Sequence, residues 1–441
     1  MNGMSQPKPL YAVDAVPFFP FRLRQVEGQW LVSNPFDHRE QVLNEAGCRI
    51  LKLCDGYRTW HEILVALAKQ DRLRFVEARV FAEQFVKPLS ESAMVWWRDR
   101  RMLVQQVPPP VAVLWDLTSR CNLHCQHCVV GARTDNAAQL PLADCFRLID
   151  EMSAFGVQQL ILSGGEPLVR EDFFSIVEQA VDRGLTVQVA TNATLLGRKG
   201  AQRLAELGVN MQVSLDAVTP ALHDRFRGSE QCWRKTVGAI GKLLQEGVYV
   251  SVASVVTRLN IDELPDLYRF VGELGVDCYR IMPFVPYGRG AAAATLEVEP
   301  RRMKQLTVRL QQLQDEIGLP LAPMEFECSL RLPNQSLPSR PGQRIGCEGS
   351  VAYCTVTAEG EVLPCNYFAG VEAENVMEKS FEWIWYNSRI LNYFRSLQTA
   401  DIHGVCRNCD WLGECRGSCI AANFVHGDIF QSNCHCWRVH P

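Results

Sequence analysis

Three absences narrow what this 441-residue chain can be. No apolar stretch reaches the roughly 18–20 residues that a helix needs to cross a bilayer. No basic field is present: 45 Lys and Arg stand against 49 Asp and Glu, a net charge of −4, so nothing draws the chain to nucleic acid or to anionic lipid. The first twenty residues lack a basic start followed by an apolar run, so no secretory signal is read there and a cytoplasmic location is expected. The 47% apolar and 21% charged residues are ordinary for a globular protein, and the length suffices for several domains around a large core.

Cysteine is the excess. Eighteen in a chain without an export signal point to metal or redox work rather than to disulfides. Cys121, Cys125 and Cys128 form a CxxxCxxC run, and nine more lie from Cys347 to Cys436. Cys48 and Cys54 fall on an expected helix, and Cys145, Cys232, Cys278 and Cys328 stand alone; these six are read as small buried apolar residues. A 4Fe-4S cube takes one thiolate per iron. Three adjacent thiolates therefore fill three corners and leave one iron for a ligand that is not protein. An open coordination position is where a metal centre does chemistry.

Periodicity divides the chain into three parts. In residues 1–98, Trp30-Leu31-Val32 reads as a strand, and Leu43 to Cys54 as a helix with Ala46, Ile50, Leu53 and Cys54 on one stripe. Thr59 caps a second helix with Glu62 as its capping-box partner. Val76 to Leu89 reads as a third helix and Met94 to Trp97 as a closing strand, which together make a winged-helix-like domain. Residues 99–110, ending in three prolines, read as a stiff linker. Residues 111–318 alternate strands (Val111–Thr118, Val157–Leu162, Thr186–Ala190, Met211–Leu215, Val248–Val256, Cys278–Met282) with helices. Six βα units of this kind predict an α/β fold, a partial (β/α)6 barrel with its site at the strand C-terminal ends. A Pro-rich bridge over 319–346 leads to a cysteine-rich region, 347–441, organised by metal as much as by an apolar core.

The cysteine loop follows the first barrel strand, and polar motifs end the next ones: Ser163-Gly164-Gly165-Glu166-Pro167, Thr191-Asn192, Ser214-Leu215-Asp216 and Thr257-Arg258-Leu259-Asn260. In this order on successive strands they resemble the radical S-adenosylmethionine (SAM) superfamily. The resemblance implies that Cys121, Cys125 and Cys128 hold a catalytic 4Fe-4S cluster. It further implies that Gly164, Gly165, Glu166, Asn192, Ser214 and Asp216 help to hold SAM, with Ser214 on the ribose. The activity implied is one-electron cleavage of SAM to a 5′-deoxyadenosyl radical that takes a hydrogen atom from substrate.

Cys406-x2-Cys409-x5-Cys415-x3-Cys419, preceded by Cys347, Cys354 and Gly360-x4-Cys365 and followed by Cys434 and Cys436, resembles the SPASM domain of radical enzymes that modify peptides. By that resemblance Cys347, Cys354, Cys365 and Cys419 hold one auxiliary cluster. Cys406, Cys409, Cys415 and either Cys434 or Cys436 hold a second. Cys347 has the family's spacing to Gly360 and Cys354 does not. Paired structural zinc sites are the alternative for these cysteines. One departure matters: an Asp that follows the GxxxxC cysteine in some relatives and serves as base is Asn366 here, which takes no proton. Glu348 is one nearby acid among several. Tyr353 and Tyr367 read as buried aromatics or as cavity lining.

The run from Leu43 through Thr59-Trp60-His61-Glu62 resembles the small PqqD-like protein that captures a precursor peptide in the pyrroloquinoline quinone pathway, by adding the peptide as a strand to a sheet edge. Together the resemblances imply a maturase of ribosomally made peptides. Its partners would be a leader peptide and an electron donor such as flavodoxin or ferredoxin, and its cofactors SAM and 4Fe-4S clusters. The alternatives are a radical enzyme acting on a small molecule or tetrapyrrole, and a non-catalytic iron–sulfur carrier.

Overall fold

The structure is a computed structural model that describes residues 12–33, 40–102, 107–132, 134, 138–322, 342–432 and 435–438. Cys328, Cys434 and most of the Pro-rich bridge lie outside the described residues.

The N-terminal part contains five short strands, β1 (Val16–Phe18), β2 (Leu23–Val26), β3 (Gln29–Ser33), β4 (Glu40–Leu43) and β5 (Trp96–Arg98). It also contains three helices, α1 (Glu45–Leu53), α2 (Trp60–Gln70) and α3 (Phe75–Glu91). β2, β3 and β4 form an antiparallel sheet, while β1 pairs with β5 apart from it. Asn44 caps α1 by accepting from the Gly47 N–H at 2.7 Å. The capping box on α2 is complete: the Glu62 N–H donates to Thr59 Oγ1, and Glu62 accepts from the Thr59 N–H. The buried face of α1 is Gly47, Cys48, Ile50 and Leu51; of the expected stripe Ile50 and Cys54 are fully buried, while Ala46 and Leu53 are half-buried at its edge. Gly47 sets that face, because a Cβ there would lie 2.2 Å from the Phe85 ring of α3.

The middle part supplies six parallel strands, β6 (Ala112–Asp116), β7 (Gln159–Ser163), β8 (Thr186–Thr191), β9 (Asn210–Ser214), β10 (Val250–Val256) and β11 (Cys278–Pro283), in sequential order across one sheet. Helices α4 (Leu142–Phe155), α5 (Phe173–Asp182), α6 (Arg198–Glu206), α7 (Pro220–Arg227), α8 (Cys232–Gln245) and α9 (Leu264–Leu274) connect them. α10 (Pro300–Ile317) follows the last strand. This is the partial barrel expected from the βα alternation. α7 and α10 are additions that the sequence reading did not single out.

The sheet does not end at its first strand. β12 (Tyr353–Val356), from the cysteine-rich part, pairs in parallel with β6 through Tyr353↔Ala112 to Val356↔Trp115, and β13 (Val362–Leu363) turns back against it. The cysteine-rich part therefore extends the barrel wall.

It is also joined to the N-terminal part. Phe18 stacks on Tyr393 at 4.0 Å, and Phe21 and Trp96 pack on Phe424. Buried Arg98 donates to Ser396 Oγ and to the Ser396 carbonyl. One buried apolar cluster runs through all three parts.

Candidate active site

Parity along the strands decides what faces the barrel interior. Ala112 and Leu114 of β6, Gln159, Ile161 and Ser163 of β7, Gln188 and Ala190 of β8, Gln212 and Ser214 of β9 and Ala253 and Val255 of β10 line one cavity of about 510 Å³. Arg280 and Met282 of β11 and Tyr353 and Thr355 of β12 complete its wall. Cys121, Cys125 and Cys128 line it from the loop after β6, and Cys347, Cys365 and Cys419 from the cysteine-rich part. Tyr367 and Asn366 lie on the wall too, so Tyr353 and Tyr367 face the cavity rather than filling a core.

The cysteine loop is held by backbone contacts that only glycine allows. Gly165 donates its N–H to the Thr118 carbonyl at 2.7 Å, and a Cβ on it would sit 2.2 Å from the Arg120 carbonyl oxygen. Gly164, at φ +123°, lies against Thr118 equally closely. The GGE segment thus packs onto the residues that lead into Cys121, and both glycines stay on the cavity wall.

Two arginines clamp the same loop, and the sequence reading passed over both. Arg289 donates to the Cys125 carbonyl at 3.0 Å and to the Ala132 carbonyl, while its own N–H bonds the Cys128 carbonyl. Arg227, at the end of α7, donates to Asp216 Oδ2 at 2.6 Å and reaches Cys125 Sγ at 3.8 Å. Nothing in the local pattern marks either residue, because the cysteine loop that each one holds lies more than a hundred residues away in the chain.

The SAM-holding positions implied by the resemblance separate into two groups. Gly164, Gly165, Asn192 and Ser214 line the cavity. Glu166 and Asp216 are fully buried behind the wall. Glu166 accepts from Thr191 Oγ1 at 2.6 Å, from the Asn192 N–H at 2.8 Å and from the Leu168 N–H at 3.2 Å. Burial raises its carboxyl, against the pull of those donors. Asp216 is likewise raised by burial, and Arg227 opposes that rise. Both carboxylates brace strand ends.

Cys354 also stands apart. It is fully buried in the apolar cluster, on the opposite face of β12 from Tyr353 and Thr355. Cys406 and Cys409 are adjacent through the Cys409 N–H to Cys406 carbonyl bond, and Cys409 opens with Trp411 and Trp437 onto a separate surface cavity. Cys415 starts from the same turn, its N–H on the Trp411 carbonyl. Of the isolated cysteines, Cys145 and Cys232 are buried, and Cys232 packs against Cys121 and Cys125. Cys278 is half-buried, exposed enough to depart from a pure core residue.

Asp116 is a further acid at the site. It ends β6 with the same parity as Leu114 and is 8% exposed. Burial, reinforced by the charge of Glu359, pushes its carboxyl up to about 7. It lines a second cavity, of about 440 Å³, that shares Val129, Val130, Gly164, Gly165 and Asn366 with the first and reaches Arg22 and Arg24 beside β2.

The residues fit the cofactors expected from the sequence. Three thiols on one cavity wall, beside an arginine cation, supply the donors for three corners of a 4Fe-4S cluster, and the Gly164-Gly165 turn leaves room for a ligand beside them. Among the described residues no three His, Cys, Asp or Glu side chains are gathered tightly enough to hold a single metal ion. The thiols instead spread around a volume.

Comparison with known proteins agrees. Residues 115–271 match the radical SAM superfamily, and residues 347–410 match an iron–sulfur cluster-binding domain, SPASM. The chain is 30% identical over 349 residues to the AdoMet-dependent heme synthase of Methanosarcina barkeri, an alignment covering 76% of this chain and 98% of that one. It is 29% identical over 330 residues to the mycofactocin maturase MftC of Mycobacterium ulcerans, covering 72% and 85%. Among solved structures, Streptococcus suis SuiB bound to its precursor peptide SuiA has the same fold, with a TM-score of 0.63 at 16% identity, covering 96% and 98% of the two chains. With its cysteine loop after the first strand, its six-strand barrel and its cluster-binding C-terminal part, the chain belongs to the radical SAM superfamily, as a SPASM-bearing enzyme that uses SAM and 4Fe-4S clusters.

Proposed function

We propose that the chain modifies a ribosomally made precursor peptide, binding the leader through residues 1–98 and abstracting a hydrogen from the core peptide, with cross-link formation as the product class. When bound, the cluster and SAM supply a 5′-deoxyadenosyl radical. The protein's part is to hold them in a walled cavity and to aim a substrate carbon at them.

The observation that carries this reading is the antiparallel sheet of the N-terminal part. The superfamily match begins at residue 115, after the winged-helix-like part. That part offers an antiparallel sheet whose outer strands, β2 and β4, each have one edge without a strand partner among the described residues. An edge of this kind takes an extended peptide as an added strand. The second cavity then supports a route from β2, past Arg22 and Arg24, to the glycine turn beside the cysteine loop. The likeness to a mycofactocin maturase supports the same reading.

A second reading, a small-molecule or tetrapyrrole substrate, is favoured by the 30% identity to a heme synthase. The test uses the full chain, anaerobically reconstituted, and a fluorescent peptide encoded by a short reading frame beside the gene. Binding that is lost when Gln25 and Val42, one on each outer strand, are replaced by proline supports peptide capture. Binding to no such peptide, with turnover of a tetrapyrrole, selects the second reading.

In this proposal Cys121, Cys125 and Cys128 hold the catalytic cluster, while Gly164, Gly165, Asn192 and Ser214 contact SAM. Glu166 and Asp216 position those contacts from behind the wall. Cys406, Cys409, Cys415 and Cys434 or Cys436 hold an auxiliary cluster, and an acidic carrier such as flavodoxin or ferredoxin delivers the electron.

A further inference from the structure

The wall of the large cavity carries three arginines, Arg227, Arg280 and Arg289, and among the described residues no aspartate or glutamate. Two of the three are taken up by the protein itself. Arg227 is paired with Asp216, and Arg289 donates to the Cys125 and Ala132 carbonyls. Arg280 is different: among the described residues no carboxylate pairs with it and no acceptor takes a hydrogen bond from it. Its charge is felt by Cys278, two residues back on the same face of β11, and by Tyr249. Burial raises both that thiol and that phenol, so they stay neutral and do not compensate it. Arginine cannot shed its proton to relieve the mismatch. An enclosed cation of this kind is matched by a counter-charge that comes to it.

The amides nearby point the same way. Gln159, Gln188 and Gln212 face the cavity from three neighbouring strands. The Gln159 amide N–H donates to Gln188 Oε1 at 3.3 Å, and the Gln188 amide N–H donates to Gln212 Oε1 at 3.5 Å. The chain ends on the Gln212 NH2 group, which has no acceptor among the described residues. The next strand, β10, turns only Ala253 and Val255 to the cavity, and Arg280 stands beyond it on β11. Sheet register sets Ser214, Ala253 and Arg280 side by side. The backbones of β9 and β11 are two strand spacings apart, roughly 10 Å, with only the Ala253 methyl on the strand between at this level. The gap has an amide donor on one side and a guanidinium on the other, a donor set that suits a carboxylate. Arg280 comes three residues before Pro283, the end of β11, so the gap lies deeper in the barrel than the strand ends that carry the cysteine loop and the glycine turn.

We propose that Arg280 and Gln212 form an anion subsite inside the barrel that binds a carboxylate of the substrate. A carboxylate fixed there by the planar fork of Arg280 leaves the rest of the substrate to run toward the cysteine loop. The separation between the carboxylate and the reacting carbon then selects which substrates are modified and where. The subsite presupposes that this cavity is where substrate meets the radical, as in the function proposed above. The carboxylate comes from a peptide, through Asp, Glu or the C-terminus, or from a tetrapyrrole, through an acidic side chain.

The first probe is p-hydroxyphenylglyoxal, which modifies unpaired guanidinium groups, applied to the anaerobically reconstituted full chain with the modified arginines mapped by mass spectrometry. Arg280 is expected to react several-fold faster than Arg227 and Arg289. N-acetylglutamate is expected to protect it, while N-acetylglutamine and saturating SAM leave its modification unchanged. Arg280 as inert as the two engaged arginines, equal protection by acid and amide, or full protection by SAM, which carries a carboxylate of its own, would each overturn the subsite. Turnover then identifies the source of the carboxylate. With the neighbour-encoded peptide or the tetrapyrrole, Arg280→Gln is expected to raise KM roughly ten- to hundredfold, the effect of losing a hydrogen bond to a charged group, and Arg280→Lys to recover part of it. Circular dichroism confirms that both variants are folded. Amidating the substrate's carboxyl groups one at a time is expected to give one form that costs the native protein the same factor and costs Arg280→Gln nothing more. Losses that multiply for every amidated form would overturn the subsite. Protection by N-acetylglutamate without turnover of either substrate would leave the subsite standing and count against the proposed function instead.

Discussion

At the scale of single residues, the site depends on buried charges that are paired with one another. Arg227 and Asp216 form an ion pair with both side chains almost fully enclosed. Removing one partner of such a pair leaves an uncompensated buried charge, a cost of about 3–5 kcal/mol. Arg227→Met is expected to lower stability by that amount in urea unfolding of the cofactor-free protein, and Asp216→Leu added to it is expected to restore most of the loss. Asp116 makes a pH-dependent prediction. Its carboxyl is raised to about 7 by burial and by Glu359. In the folded state it therefore holds a proton that the unfolded chain has already released, so its stabilising contribution is complete below about pH 4 and is lost as pH rises toward 7. Asp116→Asn is expected to leave stability unchanged at pH 4 and to raise it at pH 8. The upper bound is roughly 4 kcal/mol, from a rise of about three pH units at 1.36 kcal/mol each. Thermal unfolding of the cofactor-free protein at the two pH values checks both sign and size.

At the scale of elements, local signals were legible where local chemistry sets the structure. The Thr59–Glu62 capping box stands on α2 as the sequence implied, and Thr59→Ala is expected to cost about 1 kcal/mol in denaturant unfolding. The core strands alternate a fully buried outer face with a partly exposed face that lines the cavity, so their apolar residues recur at every second position and mark them in the sequence. The buried face of α1 shares Ile50 with the expected stripe and is turned toward Gly47 and Leu51, because the face of a short helix is chosen by what packs on it. Here the Phe85 ring demands Gly47. Likewise β12 carries no signal that it pairs with β6. The two are separated by more than two hundred residues, and the hydrogen bonds between them belong to the tertiary structure.

At the scale of the molecule, the three parts seen in the sequence are packed as one body. Phe18, Phe21 and Trp96 of the N-terminal part lie against Tyr393, Phe394 and Phe424 of the cysteine-rich part. Trp385 also donates to the Pro108 carbonyl at 3.0 Å, which ties down the segment between the N-terminal part and the barrel. Deleting residues 1–102 strips that aromatic layer. The shortened chain is expected to aggregate, or to elute from gel filtration as large oligomers, where the full chain elutes as a discrete species.

By itself the sequence determined the chemistry: three thiols spaced for a cluster with an open iron, glycines and polar residues at successive strand ends, and a second group of cysteines for further clusters. Those properties depend on residue type and short-range spacing, which a linear chain displays directly. Only the tertiary structure decided which of these groups meet. It placed Arg227 and Arg289 on the cysteine loop, moved Glu166 and Asp216 behind the wall, and turned Cys354 out of the cavity while bringing Cys347, Cys365 and Cys419 into it. Strand parity and sheet register make those choices, and both are settled by pairing between segments far apart in the chain.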